Sequence, residues 1–347
     1  MNSAPNQATV AIDAMGGDFG ISVTVSAAIQ FLRKGSNRHQ KIILVGDRAQ
    51  IESDIKNNGA TDLVDQGSLQ VVHASEVVGM DESPALALKR KKDSSMRVSI
   101  NLVKDGTAHA AVSAGNTGAL MATARFVLKT IKGIDRPAII STMPCKDSSQ
   151  TIHMLDLGAN VDSSPEMLVQ FAVMGSVLTQ FVDKKPNPKV ALLNVGAEEI
   201  KGSEKVKKAS ALLEASSLNY TGYIEADEIY DGKVDVIVTD GFEGNVALKA
   251  SEGTAKMIVD VMKEEFKRNV FTKLAGAVCL PVLNAMQRRL DPRTHNGASL
   301  LGLNGVVVKS HGGTDALGFE HAIQEAFVQA EKDLIGHLSK QIENHSH

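Results

Sequence analysis

The chain of 347 residues carries 37 basic and 40 acidic side chains, a formal net charge of −3, and is 43% hydrophobic. That apolar share supplies the core of one large domain or two ordinary ones and excludes wholesale disorder, while 29 glycines without a three-residue period exclude a collagen-like fibre. Ten Phe, three Tyr and no Trp, with no basic excess, leave neither the stacking platforms nor the charge of a general nucleic-acid binder.

In chain order, short aliphatic runs at 9–14, 41–47, 69–74 and 108–115 read as strands that end in turn residues. Runs at 137–143, 151–159, 189–196, 219–226, 234–241 and 305–312 repeat the pattern. Helix-compatible stretches lie between them at 23–34, 49–57, 84–92, 118–129, 165–181, 203–215, 246–267 and 316–334. Nearly continuous apolar strands separated by helices predict an α/β fold, a doubly wound, mostly parallel sheet with helices on both faces. Right-handed crossovers then place the loops after the strands along one edge, where ligands bind.

No linker divides the chain. KKPNPK at 184–189 is the best boundary and has ordinary loop length, so 1–335 reads as a single α/β unit, with a two-lobed form around a cleft left open. Residues 336–347 form a polar tail expected to fray. The segment 263–293 differs: it reads as two amphipathic helices turning near Leu280 and Pro281, with Lys263, Lys267, Arg268, Lys273, Arg288, Arg289 and Arg293 among them. It is either a solvated hairpin or a surface for an acidic partner, a second subunit or a membrane. Cys145 and Cys279 read as free thiols of a reducing cytosol. No secretory signal and no run of 18 apolar residues is found, which points to a soluble intracellular protein.

The chemistry gathers in the loops after the strands. In AMGGDFG (14–20), Gly16 and Gly17 expose backbone N–H groups at a helix start, and Asp13 and Asp18 are placed to orient a polar ligand or hold a cation. The GxGxxG dinucleotide spacing and the GxxxxGK[ST] loop are both missing. SAGNTGAL (113–120) is sharper: Ser113, Gly115, Asn116, Thr117 and Gly118 offer hydroxyls, an amide and backbone donors where a helix N-terminus favours negative charge. Phosphate or an acyl oxyanion suits it; a capping loop is the plainer reading. Asp156 and Asn160, then Asn194, Asp240 and Asn245, then Lys309, Ser310 and His311 populate the later loops, where several are equally turn or cap residues. Together they predict one broad polar cleft for an anion. There is no GxSxG elbow, so direct attack by a bound substrate fits better than a covalent intermediate.

At these loops the sequence resembles a known family. AIDAMGGDFG, SSMRVSINLVKDGTAHAAVSAGNTGAL, LDLGANVD, QFAVMGSVL, NPKVALLNVG, EEIKG, DGFEGNV, NGASLLGLNG and VVKSHG, in one order from residue 11 to 312, are similar to the acyl-carrier-protein:phosphate acyltransferases of bacterial phospholipid synthesis. The resemblance implies a phosphotransacetylase-like fold and the conversion of fatty acyl-carrier protein and inorganic phosphate into acyl phosphate and free carrier protein. It also implies a homodimer, a product consumed by glycerol-3-phosphate acyltransferase, and a cytoplasmic enzyme peripherally associated with the inner face of the cell membrane. No cofactor and no metal is implied.

On that basis Asn116, Lys309 and His311 are the candidate catalytic residues, with His311 protonating the leaving thiolate. Asp18, Ser113, Gly115, Thr117, Gly118, Asp156, Asn160, Asn194, Asp240, Asn245 and Ser310 are candidates for binding phosphate or substrate. The seven basic residues of the hairpin become a docking surface for the acidic carrier. The sequence departs from the family pattern at Ile21, Ala197, Glu243 and His295, and Glu243 adds a negative charge near the expected anion cleft. A coenzyme A-dependent phosphotransacylase and a non-catalytic carrier or membrane scaffold are the rival readings.

Overall fold

A computed structural model describes residues 8–34, 39–147, 149–198 and 200–345, with the side chains of 287–290, 292, 344 and 345 outside the described set. The strands are β1 (Thr9–Asp13), β2 (Lys41–Gly46), β3 (Leu69–His73), β4 (Ala110–Ser113), β5 (Ala138–Met143) and β6 (Ile152–Leu155), followed by β7 (Val190–Leu193), β8 (Tyr220–Ile224), β9 (Val236–Val238), β10 (Ala298–Leu301) and β11 (Val306–Lys309). The helices are α1 (Ile21–Arg33), α2 (Arg48–Asn57), α3 (Thr61–Asp65), α4 (Pro84–Arg90), α5 (Ser95–Lys104) and α6 (Thr117–Leu128), then α7 (Pro165–Val182), α8 (Glu204–Glu214), α9 (Gly241–Lys267), α10 (Val270–Leu290), α11 (Ala316–Glu331) and α12 (Leu334–His345).

All the strands join one sheet in the order β3-β2-β1-β4-β11-β10-β5-β6-β9-β7-β8. Their apolar runs are buried on both faces, as a helix-covered sheet requires. On one face Val10, Ile12, Val112 and Val308 meet α1 and α11. On the other, Ala111 and Val307 meet α5 and α6. In the second half α7, α8 and α12 cover β6, β9 and β7. α7 is apolar all round because it is a core helix. Helix starts are set locally: Asp47, Ser94, Asn116, Ser164, Ser203, Asp240, Asn269 and Asp315 each accept a first-turn N–H.

Strand direction corrects the expectation of one ligand edge. β1, β2, β3, β4 and β11 are mutually parallel, and so are β6, β9, β7 and β8. Between the two sets β11–β10, β10–β5 and β5–β6 are all antiparallel pairs. Three reversals leave the two sets opposed, so their C-terminal ends lie on opposite edges of the sheet. The loops after β1, β4 and β11 occupy a first edge. Those after β6, β7 and β9 occupy the second.

Three local expectations also change. α9 and α10 turn at Arg268 and Asn269, not at Leu280 and Pro281: Asn269 caps α10 through Thr272, and Pro281 sits inside the helix. The tail does not fray over its described part. Leu334, Leu338 and Ile342, spaced four apart, enter the core of the second half. α5 and the four-residue β10 were not anticipated, although Met96 and Ile100 of α5 are also spaced four apart. Cys145 and Cys279 are unpaired.

Leu338 is fully buried, so Leu338→Ala should destabilise the protein by about 3 kcal/mol in urea unfolding. A loss within about 0.5 kcal/mol, typical of a surface change, would return this helix to the status of a loose tail.

Candidate active site

At the first edge, pairing register aligns Asp13 of β1 with Ser113 of β4, and Ser113 with Lys309 of β11. Alternation along a strand therefore sends all three side chains to one face, the face of Ala111 and Val307 beneath α5 and α6. Their residues are 1%, 2% and 9% exposed. The Ser113 hydroxyl donates to Asp13 Oδ2 at 2.7 Å and accepts the Gly115 N–H at 3.0 Å. Asp13 Oδ1, also buried, has no hydrogen-bond partner. Lys309 Nζ donates to the carbonyls of Ala114 and Ser310.

Burial dominates both ionisable members of this row. It pushes the Asp13 carboxyl up, against the hydrogen bond from Ser113. It pulls the Lys309 ammonium down to about 8, with Asp13 and Asp18 opposing. Among the described residues Lys309 makes no ion pair within 4.0 Å. A lysine so placed can both neutralise an anion and give up a proton near neutral pH.

Three loops close over the row. Gly17 has φ +92°, and a Cβ there would stand 2.9 Å from Ala114 Cβ and 3.0 Å from the Gly312 carbonyl, so the close approach requires glycine. Asp18 N–H donates to the Gly312 carbonyl at 2.9 Å, and the Asp18 side chain is exposed. α1, α6 and α11 all begin at this edge, which directs three positive helix ends toward it. The first-turn N–H groups of α6 at Thr117 and Gly118 lack intrahelical acceptors, as at any helix start.

Asn116 is not a free donor. Its Nδ2 donates to the carbonyls of Met80 and Glu82 at 2.8 and 3.1 Å, and its Oδ1 caps Ala119 at 2.9 Å. It clamps the segment before α4 onto α6, so it positions the site rather than touching substrate. Asn296, missed in the sequence, plays a matching part: it accepts the His311 N–H at 2.9 Å and donates to Ser310 Oγ at 2.8 Å. His311 is exposed, and its Nδ1 accepts the Gly313 N–H at 3.1 Å. In the neutral ring this assigns the proton to Nε2, a hydrogen-bond donor.

The second edge gathers Asp156, Asn160, Asn194, Asp240 and Asn245, apart from the row above. Most of these side chains are consumed in holding loops. Asp156, fully buried, accepts N–H groups from Ile139, Ala159 and Asn160, while burial pushes its carboxyl up. Asn160 Nδ2 donates to Asp156 and to the Pro137 carbonyl. Asn194 Nδ2 ties Gly196 to Lys201. Asp240 caps α9 and pairs with Lys205, and Asn245 packs on Gly158. Glu243 sits here with Thr239, away from Lys309's edge. Among the described residues no cluster of three or more metal-ligating side chains occurs.

Of the hairpin cations, Lys263, Lys267, Arg268 and Lys273 are exposed. Lys263 and Arg268 are partly spent on Asp260 and Glu265. Arg293 is held by Asp291 and Asp315 in a structural ion pair and is not available for docking. The side chains of Arg288 and Arg289 lie outside the described residues.

The fatty acid synthesis protein family matches residues 8–336. The phosphate acyltransferase of Legionella pneumophila (strain Paris) is 54% identical over 335 residues, covering 96% of each chain. That of Chromobacterium violaceum is 54% identical over 341 residues, covering 97% of this chain and 96% of the relative. Among solved structures, a phosphotransacetylase from Streptococcus pyogenes superposes with a TM-score of 0.63 at 18% identity, over 93% of this chain and 94% of the other. The EutD phosphotransacetylase from Staphylococcus aureus gives 0.59 at 16%, over 94% of each. These two likenesses establish the phosphotransacetylase-like fold. The chain belongs to the fatty acid synthesis protein family and, with its phosphate acyltransferase relatives, is an enzyme of acyl transfer to phosphate.

Proposed function

We propose that the enzyme moves a fatty acyl group from the thioester of acyl-carrier protein to inorganic phosphate at the first edge, releasing acyl phosphate and free carrier thiol. The supporting observation is the buried, in-register row of Asp13, Ser113 and Lys309 at the meeting of three helix N-termini. A phosphate oxygen attacks the thioester carbon, the carbonyl oxygen takes the charge, and the C–S bond then breaks. The thioester is already activated, so alignment and charge neutralisation carry most of the rate.

In this reading phosphate lies against the Thr117 and Gly118 N–H groups and the Lys309 ammonium. Lys309, lowered to about 8, is matched to a thiol of about 8.5 and protonates the departing thiolate. His311 offers Nε2–H to the oxyanion, because protonating Nδ1 as well would break its bond from Gly313. Asp13 holds Ser113 and balances the buried ammonium. Asn116 and Ser310 keep the loops in place.

The hairpin serves docking. Lys267 and Lys273 make no ion pair among the described residues and meet the acidic carrier. Phe271 and Val278, 84% and 81% exposed, belong to an apolar face that joins a second subunit in a homodimer and borders the membrane. The enzyme then works in the cytoplasm at the inner face of the cell membrane and passes acyl phosphate to glycerol-3-phosphate acyltransferase.

The deciding assay is phosphate-dependent thiol release, compared for acyl-carrier protein and acyl-coenzyme A. A higher kcat/KM with the carrier is expected; a preference for coenzyme A would make the enzyme a phosphotransacylase of that type. Lys309→Met should lower kcat/KM about a hundredfold, roughly 2.7 kcal/mol of transition-state stabilisation. In the wild type kcat/KM should fall as pH rises through about 8, where Lys309 loses its proton, and Lys309→Arg should move that decline to higher pH. A wild-type profile flat across that range would remove Lys309 as the acid. Lys267→Glu with Lys273→Glu should raise KM for acyl-carrier protein severalfold at low salt and little at 0.5 M salt, where screening acts within about 4–5 Å. An unchanged KM would place carrier docking elsewhere.

A further inference from the structure

The outer face of α4, α5 and α6 carries a charge imbalance that the catalytic row does not use. Residues 84–104 and 117–132 hold nine Lys and Arg against one acidic residue, Asp93, in a chain whose net charge is −3. Lys91 pairs with Glu82 at 2.7 Å, and among the described residues the other eight make no ion pair within 4.0 Å. Lys89, Arg90, Lys92, Arg125 and Lys129 are exposed. Arg97 and Lys129 stand over the Phe126 ring, 5.3 and 4.9 Å from its centroid, and Arg97 Nη1 donates to the Leu88 carbonyl at 3.1 Å. These contacts join the three helices into one surface, on which Phe126 and Leu86 are 51% and 47% exposed. The surface begins at the mouth of the first edge. Asn116 holds the Met80 and Glu82 carbonyls there, and Pro84 Cγ lies 2.8 Å from where a Cβ on Gly118 would stand. The exposed Met80 reaches Gly312, in the loop that carries His311. Of the carboxylates just before α4, Glu76 accepts the Asp93 N–H and Glu82 holds Lys91, so the exposed Asp81 offsets one charge at most.

From these features we infer that this face is where the acidic acyl-carrier protein rests while its thioester lies at the row of Asp13, Ser113 and Lys309. The inference rests on the proposed use of a carrier-bound donor and gives that donor a docking face. Like charges held side by side repel one another, and a partner that brings carboxylates relieves the repulsion. The Phe126 ring, with Arg97 and Lys129 over it, is ordered before docking, so contact there costs little side-chain freedom. The hairpin cations draw the carrier in from a distance, whereas the docked carrier has to be held beside the edge where its thioester reacts. A lipid surface fits this face less well. Its exposed apolar side chains are half-covered and set among cations, whereas α10 offers Phe271, Leu274 and Val278 at 84%, 62% and 81% exposure, the broader apolar face that a bilayer favours.

The test is steady-state acyl transfer to phosphate from octanoyl-acyl-carrier protein and from octanoyl-pantetheine, a donor with the same thioester and no protein. For Lys89→Glu with Arg90→Glu, kcat/KM for the carrier-bound donor should fall at least about tenfold relative to that for octanoyl-pantetheine, with the change in KM. Arg125→Glu with Lys129→Glu, on a different helix, should give a loss of the same kind, so that a local defect in α4 does not account for the result. A ratio within about twofold of wild type in both double variants overturns the inference. The two readings fail separately. If the wild type turns over octanoyl-pantetheine as well as the carrier-bound donor, the use of the carrier is lost and the docking face with it. If the wild type favours the carrier and the ratio does not move, only the docking face is lost. Binding to vesicles of phosphatidylglycerol and phosphatidylethanolamine is measured alongside. Vesicle binding weakened by the same substitutions, with the donor ratio unmoved, would assign the face to a membrane and overturn the inference.

Discussion

The reversal of strand direction at β10 and β5 is the constraint on which the rest depends. A doubly wound sheet gathers its ligand loops where parallel strands end. Here the chain lays down parallel strands on both flanks and joins them through three antiparallel pairs. The result is a continuous sheet whose two halves end on opposite edges. Each half then repeats the same device: a strand, a polar loop, and a helix whose N-terminus faces that loop. α1, α6 and α11 open on one edge, and α7, α8 and α9 on the other.

Within that frame the first edge is unusual in what it buries. A carboxyl and an ammonium sit in one row, yet each is displaced toward its neutral form, because loss of water outweighs their mutual attraction. The structure tolerates this since Ser113 bridges toward Asp13 and two carbonyls receive the Lys309 ammonium. Register makes the row possible. A shift of β11 by one residue would turn Lys309 toward α1 and α11 and bring Val308 into its place.

Much of this was legible in the sequence. Apolar runs broken by glycine and polar residues gave ten of the strands, and the loops after β1, β4 and β11 were marked by glycines beside Ser113 and Lys309. What stayed hidden was direction. A strand reads the same whichever way its neighbour runs, so Asp156 and Asp240 were grouped with Lys309 although the sheet separates them. Two further misses have local causes. Pro281 suggested a break, but an exposed helix accommodates it, and the stronger signal was the cap at Asn269. The polar composition of 336–347 masked the spacing of Leu338 and Ile342, which docks α12. Asn296 gave no signal because it acts through Ser310, His311 and Gly318, which lie well beyond it in the sequence.

Residue type also proved a poorer guide than hydrogen-bond satisfaction. Asn116, Asp156, Asn160 and Asn194 are the kinds of residue that bind substrates, and in this fold their polar atoms are spent on backbone groups of neighbouring loops. Such bonds fix loop shape and withdraw those groups from a ligand. The groups that retain capacity are fewer. Among the described residues Asp13 Oδ1, Gln40 Oε1 and Ser163 Oγ are buried without a hydrogen-bond partner, and of these Asp13 stands in the row with Lys309. Burial without a partner is unfavourable by about 1–3 kcal/mol for each group. At the first edge that cost falls on a carboxylate oxygen, which an anion cannot satisfy, so it is the Lys309 ammonium and the starts of α1, α6 and α11 that make this edge attractive to an anion.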